Sequence, residues 1–178
     1  LALKGILGIG AMAEIANLTG HTDTAMNYSK TAHDYMSQWT TLGFNLEADP
    51  PHAELSYNNP SSWGLLYNLF ADKELNLGLV PQKVYDIQDN FYPTVFDKYG
   101  VPLDTRHSYT KSKLARHVDS LRTLKLTTLL STDDWALFVA AVSSPSLKQR
   151  FISTLADWLG TTPTNFAFTD LYDAVNGK

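Results

Sequence analysis

Residues 1–18, LALKGILGIGAMAEIANL, place apolar or small side chains on nearly every face of a helix. A helix that is apolar all round is a buried one, so this segment predicts a core helix at the very start of the chain. Gly5, Gly8 and Gly10 lower its helix propensity but let neighbouring backbones come close. Thr19-Gly20 marks its end, Gly being the favoured residue just past a helix. Thr22 or Asp23 then caps a second helix. Over residues 24–41, Ala25, Tyr28, Ala32, Tyr35, Met36 and Trp39 recur at spacings of three and four, the pattern of a one-sided amphipathic helix. Together the two segments predict an antiparallel helical hairpin with a short connection.

The same logic extends along the chain. From Gly43 to Pro60 periodicity is lost, and Pro50, Pro51 and Pro60 forbid a continuous helix. A loop of that length in a compact domain points to function. Ser61 or Ser62 is expected to cap a helix running to about Leu75 through Trp63, Leu66, Tyr67 and Phe70. Pro81 suits the first position of the next helix, which Pro93 should kink or divide and Gly100 should close. Residues 101–112, VPLDTRHSYTKS, read as a second polar loop. Asp133 or Thr132 should cap a helix reaching about Val142, with another from Ser146 to Leu159 and a short helical turn near 168–175. No convincing strand pair and no internal repeat emerges. The class expected is all-α, built from successive helical hairpins in a single domain over residues 1–178.

Composition narrows the function. With 44% hydrophobic and 18% charged residues, the chain is a packed globular sequence and not a disordered one. A net charge of −4 provides no electrostatic footprint for nucleic acid or an anionic membrane. No apolar run approaches the roughly 20 residues needed to span a bilayer. The absence of Cys excludes thiol catalysis, disulfides and thiolate metal centres. The chain starts at Leu1 inside a core-like helix, which leads us to expect a fragment of a longer protein.

One stretch departs from its surroundings. Residues 113–131, KLARHVDSLRTLKLTTLLS, hold six Leu and four Lys/Arg against one Asp, with no aromatic, Gly or Pro. Read plainly, this is a basic amphipathic surface helix, though Leu114, Leu121, Leu124 and Leu126 only partly share one face.

Three runs carry a resemblance: LALKGILGIGAMAEIA, the long stretch from HAELSYNNPSSWG to VPLDTRHSYTK, and TPTNFAFTDLYD. Together they resemble the six-helical-hairpin domain of the fungal glutaminase A family, over almost the whole chain except 113–131. The resemblance implies an (α/α) toroid of the six-hairpin glycosidase-like kind, secretion, and hydrolysis of glutamine with no cofactor. It also implies a multidomain protein with a β-rich region N-terminal to this one as a partner. A closed six-hairpin toroid does not fit in 178 residues at roughly 10–14 residues per helix plus loops, so about three hairpins are expected. Family members look like Tyr-Thr-Lys-x-Asp-Trp where this chain has Tyr109-Thr110-Lys111 and Asp134-Trp135 separated by the odd segment. Permissive codon choices place a donor-like GTAAG across Ser112-Lys113. They also allow a branch-point-like CTGAC in Leu126-Thr127 and an acceptor-like ACAG in Thr132-Asp133. A retained intron translated in frame is therefore one reading and a natural insertion loop the other.

Under that resemblance two loops carry the chemistry. Hydrolysis of a carboxamide needs a base for water, donors for the oxyanion and an acid for departing ammonia. In loop 101–112, Asp104 would serve as base and His107 as acid. Arg106 or Lys111 would clamp the substrate α-carboxylate, with Asp134 and Trp135 nearby. The plainer alternative is an Asp–Arg pair that fixes the loop, with Tyr109 packed on a helix. In loop 49–63, Glu54 stands with Tyr57, Asn58, Asn59 and Trp63, and a carboxylate shielded by aromatics becomes a proton donor. Alternatively, Ser56, Asn58 and Asn59 satisfy backbone groups and Trp63 is core. Glu54 and Asp104 would also serve as the carboxylate pair of a six-hairpin glycoside hydrolase, and a noncatalytic helical scaffold is a third reading. Asp86/Asp89 and Asp170/Asp173, each three apart, read as solvated faces or helix ends. His21, His33, His52 and His107 lack metal-ligand spacing, so no metal is expected. Asn17-Leu18-Thr19 and Asn27-Tyr28-Ser29 have the glycosylation acceptor form, Asn27 being favoured because Asn17 ends a helix expected to be buried.

Overall fold

A computed structural model of the chain describes residues 1–111, 135–162 and 171–178. The first helix, α1 (Ala2–Leu18), is stopped where the sequence indicates. Gly20 adopts φ +80°, the left-handed conformation that glycine takes without penalty. This lets the Gly20 N–H donate to Asn17 O at 3.1 Å and the His21 N–H to Ala16 O at 2.8 Å, the double closure of a Schellman turn. The reversal runs straight into α2 (Thr22–Leu42), so His21 holds the N-cap position in place of the expected Thr22 or Asp23. Asp23 lies in the first turn instead, where its charge meets the positive end of the helix dipole.

The helix α1 is buried on one face only, through Leu3, Ile6, Leu7, Gly10, Ala13 and Ala16. Met12, Ile15 and Leu18 are exposed, Leu18 at 84%. The expectation of a helix buried all round is therefore corrected within the described residues. Its packed face shares a core with Ala32, Met36 and Trp39 of α2, together with Leu79, Val80 and Val84. Of the three glycines in α1, Gly10 is the close approach: a Cβ there would collide with the Leu79 side chain. Gly5 and Gly8 face open space.

Beyond α2, the short strands β1 (Phe44–Asn45) and β2 (His52–Ala53) pair antiparallel, Phe44 opposite Ala53. The expected helix from Ser61 to Leu75 is reduced to α3 (Leu69–Glu74). The reason is that residues 63–65 are committed elsewhere. Leu65 N–H donates to Leu103 O at 2.8 Å and Thr105 N–H to Trp63 O at 3.1 Å, with Gly64 bridged to Asp104. Extended pairing and a helical ladder compete for the same backbone groups, and here the pairing prevails. After α3 the chain turns through Asn76 (φ 51°) and Gly78 (φ 63°). Buried Asp72 closes this turn, accepting Leu79 N–H at 2.9 Å, Val80 N–H at 3.3 Å and the Tyr85 hydroxyl at 2.9 Å.

Helix α4 (Gln82–Phe91) begins after Pro81 and gives way to a 3₁₀ turn, Tyr92–Val95, at Pro93, where the proline position predicts a break. The continuation expected to reach Gly100 is corrected, since residues 97–100 form a turn in which Asp97 N–H donates to Gly100 O at 2.9 Å. Helices α5 (Trp135–Val142) and α6 (Pro145–Thr161) form a second hairpin. Leu147 and Phe151 of α6 share a core with Phe91, Tyr92 and Val101. The α6 N-terminus takes its cap from afar: the Ser144 N–H donates to the Asp89 carboxylate at 2.7 Å.

The helical turn expected near 168–175 is corrected. Residues 171–173 form β4 (Leu171–Asp173), antiparallel to β3 (Tyr109–Lys111) with Thr110 opposite Tyr172. Tyr172 stacks on Trp158 at 3.7 Å, a contact that a strand facing α6 provides. The basic segment 113–131, the caps Thr132 and Asp133, and Asp170 lie outside the described residues.

The two contrasting glycines give a test. Gly10→Val is expected to lower stability by about 1–3 kcal/mol through overpacking against Leu79. Gly8→Ala, with nothing nearby and better helix propensity, is expected to raise it by up to about 1 kcal/mol. Urea denaturation midpoints of the two variants beside the unchanged protein check both signs.

Candidate functional site

The two polar loops singled out from the sequence are joined through one strand-like segment. Residues 54–62 form a closed turn: Leu55 N–H donates to Ser62 O at 3.4 Å, and Ser62 Oγ donates to Asn59 O at 2.7 Å. The chain then continues through Trp63, Gly64 and Leu65, which pair with Leu103, Asp104 and Thr105. A Cβ at Gly64 would lie 3.4 Å from Leu103 O, 3.5 Å from Asp104 Cβ and 3.3 Å from Leu55 Cδ1. A side chain at Gly64 would therefore meet the Asp104 loop at ordinary van der Waals distance, and only the Leu55 methyl would have to give by a few tenths of an ångström.

Asp104 is 8% exposed and tied down. Arg106 donates to it through Nε (2.9 Å to Oδ1) and Nη2 (2.6 Å to Oδ2), and the Arg106 N–H adds a third bond to Oδ1 at 2.9 Å. The guanidinium bond, above all, holds the Asp104 carboxyl below the usual carboxylate range, against the opposing effect of burial. The fork of Arg106 is therefore spent on Asp104, the loop-fixing arrangement that the sequence also allowed. His107 is exposed and bridged to Asp104 through the backbone, with its ring 5.7 Å from Tyr109.

Lys111 ends β3 with its Nζ 5.6 Å from the Trp135 ring, and Trp135 stacks on Tyr67 at 3.9 Å. The residues flanking the odd segment are thus spatial neighbours. Asp134 lies outside the described residues.

Glu54 is half-buried. Its Oε2 accepts the Asn59 N–H at 3.3 Å, and its own N–H donates to Gly43 O at 2.8 Å. Asn58 is exposed at φ 59°. Tyr57 lines an open apolar cavity of about 330 Å³ with Ile6, Tyr35, Trp39 and Leu42. Trp63 meets Phe91 edge-on at 5.6 Å, and buried His52 stacks on the same ring at 4.6 Å. The acidic residues on α4 divide: Asp86 accepts from Gln82 at the surface, and Asp89 caps α6. Asp173 accepts Ser108 Oγ and the Val175 and Asn176 N–H groups, which hold its carboxyl low. Asn17 and Asn27 are both exposed, so the expectation of a buried Asn17 is corrected.

Sequence reasoning passed over Gln88, which is 2% exposed, and Tyr92, 1% exposed. Burial pushes the Tyr92 phenol up to about 12. The signal was present, since Gln88 is a polar residue on the Val84–Tyr85–Phe91 stripe of α4, and a buried polar group calls for partners.

The profile of the glutaminase A six helical-hairpin domain family matches residues 1–178. The chain belongs to that family. It is 54% identical over 178 residues to Glutaminase A of Aspergillus oryzae, covering all of this chain and 23% of that protein. It is 35% identical over 199 aligned positions to a probable glutaminase of Arthroderma benhamiae, covering 97% of this chain and 20% of that one. The chain thus spans about a quarter or less of the length of these relatives. No solved structure matches it significantly.

The Asp104 carboxyl yields a pH prediction. With its folded value depressed, the stabilisation is full above about pH 4 and fades as pH falls through the folded value. Melting temperatures from pH 6 to 2.5 should show wild type above Asp104→Asn at pH 6, with the gap narrowing toward pH 2.5. A gap that does not narrow contradicts the assignment.

Proposed function

We propose that this chain is part of a glutaminase-type amidohydrolase that hydrolyses L-glutamine to glutamate and ammonia without a cofactor. The observation that carries this reading is the 54% identity, along the whole chain, to a protein named Glutaminase A. Geometry supplies the support, because the pairing of 63–65 with 103–105 sets the Glu54 turn beside the Asp104 loop.

In this reading, water adds to the side-chain carbonyl carbon and loses its proton to a base. The oxyanion then collapses, breaking the C–N bond as an acid protonates the departing nitrogen. Glu54 suits the base better than Asp104 does. A carboxylate held low by a two-point guanidinium bond is a weaker base and serves best as the fixed charge that shapes the loop. His107, exposed beside it, remains the acid of the proposal, and Lys111 the partner for the substrate carboxylate next to Trp135. Tyr57, Asn58 and Asp134 are assigned to substrate contact on sequence grounds.

Exposed apolar side chains on the first hairpin, Met12, Ile15, Leu18 and Met26 among them, would pack on the rest of the protein, the β-rich region included. Activity therefore belongs to the full-length protein. The same reading has it secreted and carrying N-glycans at exposed Asn27 and Asn17.

Ammonia release from glutamine by the full-length protein is the direct assay. Glu54→Gln is expected to lower kcat by at least about 100-fold, the ordinary contribution of a general base. Sugar release from glycans without ammonia from glutamine would replace this reading with the glycoside hydrolase one. Glycosidase treatment of the protein secreted from a fungal host should reduce its mass, and Asn27→Gln and Asn17→Gln should each remove part of that change.

A further inference from the structure

The N–H groups of Ala53 and Leu66 end on α4 and on the 3₁₀ turn that continues it. Ala53 N–H donates to Gln88 Oε1 at 3.0 Å, Gln88 Nε2 donates to the Tyr92 hydroxyl oxygen at 2.9 Å, and Leu66 N–H donates to that same oxygen at 2.9 Å. Ala53 immediately precedes Glu54, and Leu66 follows the Gly64-Leu65 segment that pairs with Leu103 and Asp104. Between Gln88 on α4 and Tyr92 in the 3₁₀ turn that follows, Phe91 receives His52 on its face and Trp63 on its edge. One and a half turns of helix thus touch both loops of the candidate site.

We propose that Gln88 and Tyr92 are positioning residues that set the spacing between the Glu54-bearing turn and the Asp104-bearing loop. The proposal rests on the glutaminase reading of those loops and deepens it. A carboxamide accepts at its oxygen and donates at its nitrogen, so the Ala53 N–H, which can only donate, fixes Gln88 in one orientation. The Tyr92 oxygen accepts two donors, which a phenylalanine would leave unpaired in the core. An apolar pair would fill the same space but leave the Ala53 and Leu66 N–H groups without their acceptors. What an apolar pair does not supply is a directional tie to each loop, and reacting groups displaced by about 1 Å lose on the order of 100-fold in rate.

The test uses the full-length protein with glutamine, comparing Tyr92→Phe, Gln88→Met, Glu54→Gln and the double variant Tyr92→Phe/Glu54→Gln. Circular dichroism and a melting curve establish that each is folded at the assay temperature. The expected result is a fall in kcat of at least about 10-fold for Tyr92→Phe and Gln88→Met, with KM changed far less. In the double variant, Tyr92→Phe should add little to the loss caused by Glu54→Gln, because it acts through that carboxylate. If Glu54→Gln is crippled while Tyr92→Phe and Gln88→Met both keep wild-type kcat, or if the two losses multiply, the positioning role is overturned and the glutaminase reading stands. If Glu54→Gln itself keeps full activity, the site reading falls first and this proposal with it. Failure of both Tyr92→Phe and Gln88→Met to fold also overturns the proposal, since the pair would then serve core stability alone.

Discussion

The short backbone pairing between residues 63–65 and 103–105 is the constraint on which the arrangement of the molecule turns. These two segments are about 40 positions apart in the chain, and bringing them together closes a long loop at an entropic cost. The bonds that close it lie among buried groups such as Gly64, Leu65 and Asp104, where an unpaired N–H or C=O is expensive. Once Gly64 is committed there, α3 cannot begin before the pairing ends. The Glu54 turn is then held on one side and the Asp104–Arg106 loop on the other. The helix α4 stands behind both, and its aromatic and polar side chains, rather than a continuous sheet, complete the connection.

A second constraint concerns the two ends of the basic segment 113–131. Lys111 and Trp135 are separated by 23 residues yet their side chains meet in a cation–π contact, with Tyr67 stacked on Trp135. A segment whose two ends meet can be lengthened at small cost, because loop-closure entropy grows only logarithmically with length. The neighbourhood of Tyr109-Thr110-Lys111 and Trp135 is therefore kept in a chain that carries the basic segment between them.

Much of the fold was legible from local signals. The hairpin of α1 and α2 follows from an apolar run, a Thr-Gly stop and a three-four periodicity. Pro81 and Pro93 mark helix boundaries through the fixed φ and missing donor of the ring. The misread elements are equally instructive. Trp63, Leu66, Tyr67 and Phe70 have helical spacing, yet only the last lies in α3. Leu171-Tyr172-Asp173 looks like the tail of a helix and is a strand. In both cases a distant backbone partner, Leu103 or Thr110 respectively, captured the hydrogen bonds that a helix would have used. The site was legible as two polar loops, but the tie between Asp104 and Arg106 and the role of Gln88 required knowing which groups are buried together.

By itself the sequence determined helical class, hairpin order and the stopping points, because these depend on contacts within a few residues: periodicity, caps, glycine and proline. Only the tertiary structure decided which face of α1 is covered, which short stretches pair as strands and which carboxylate is bound to a guanidinium. Those outcomes depend on competition between partners for the same backbone and side-chain donors. That competition is settled by where distant segments come to rest, which no local pattern encodes.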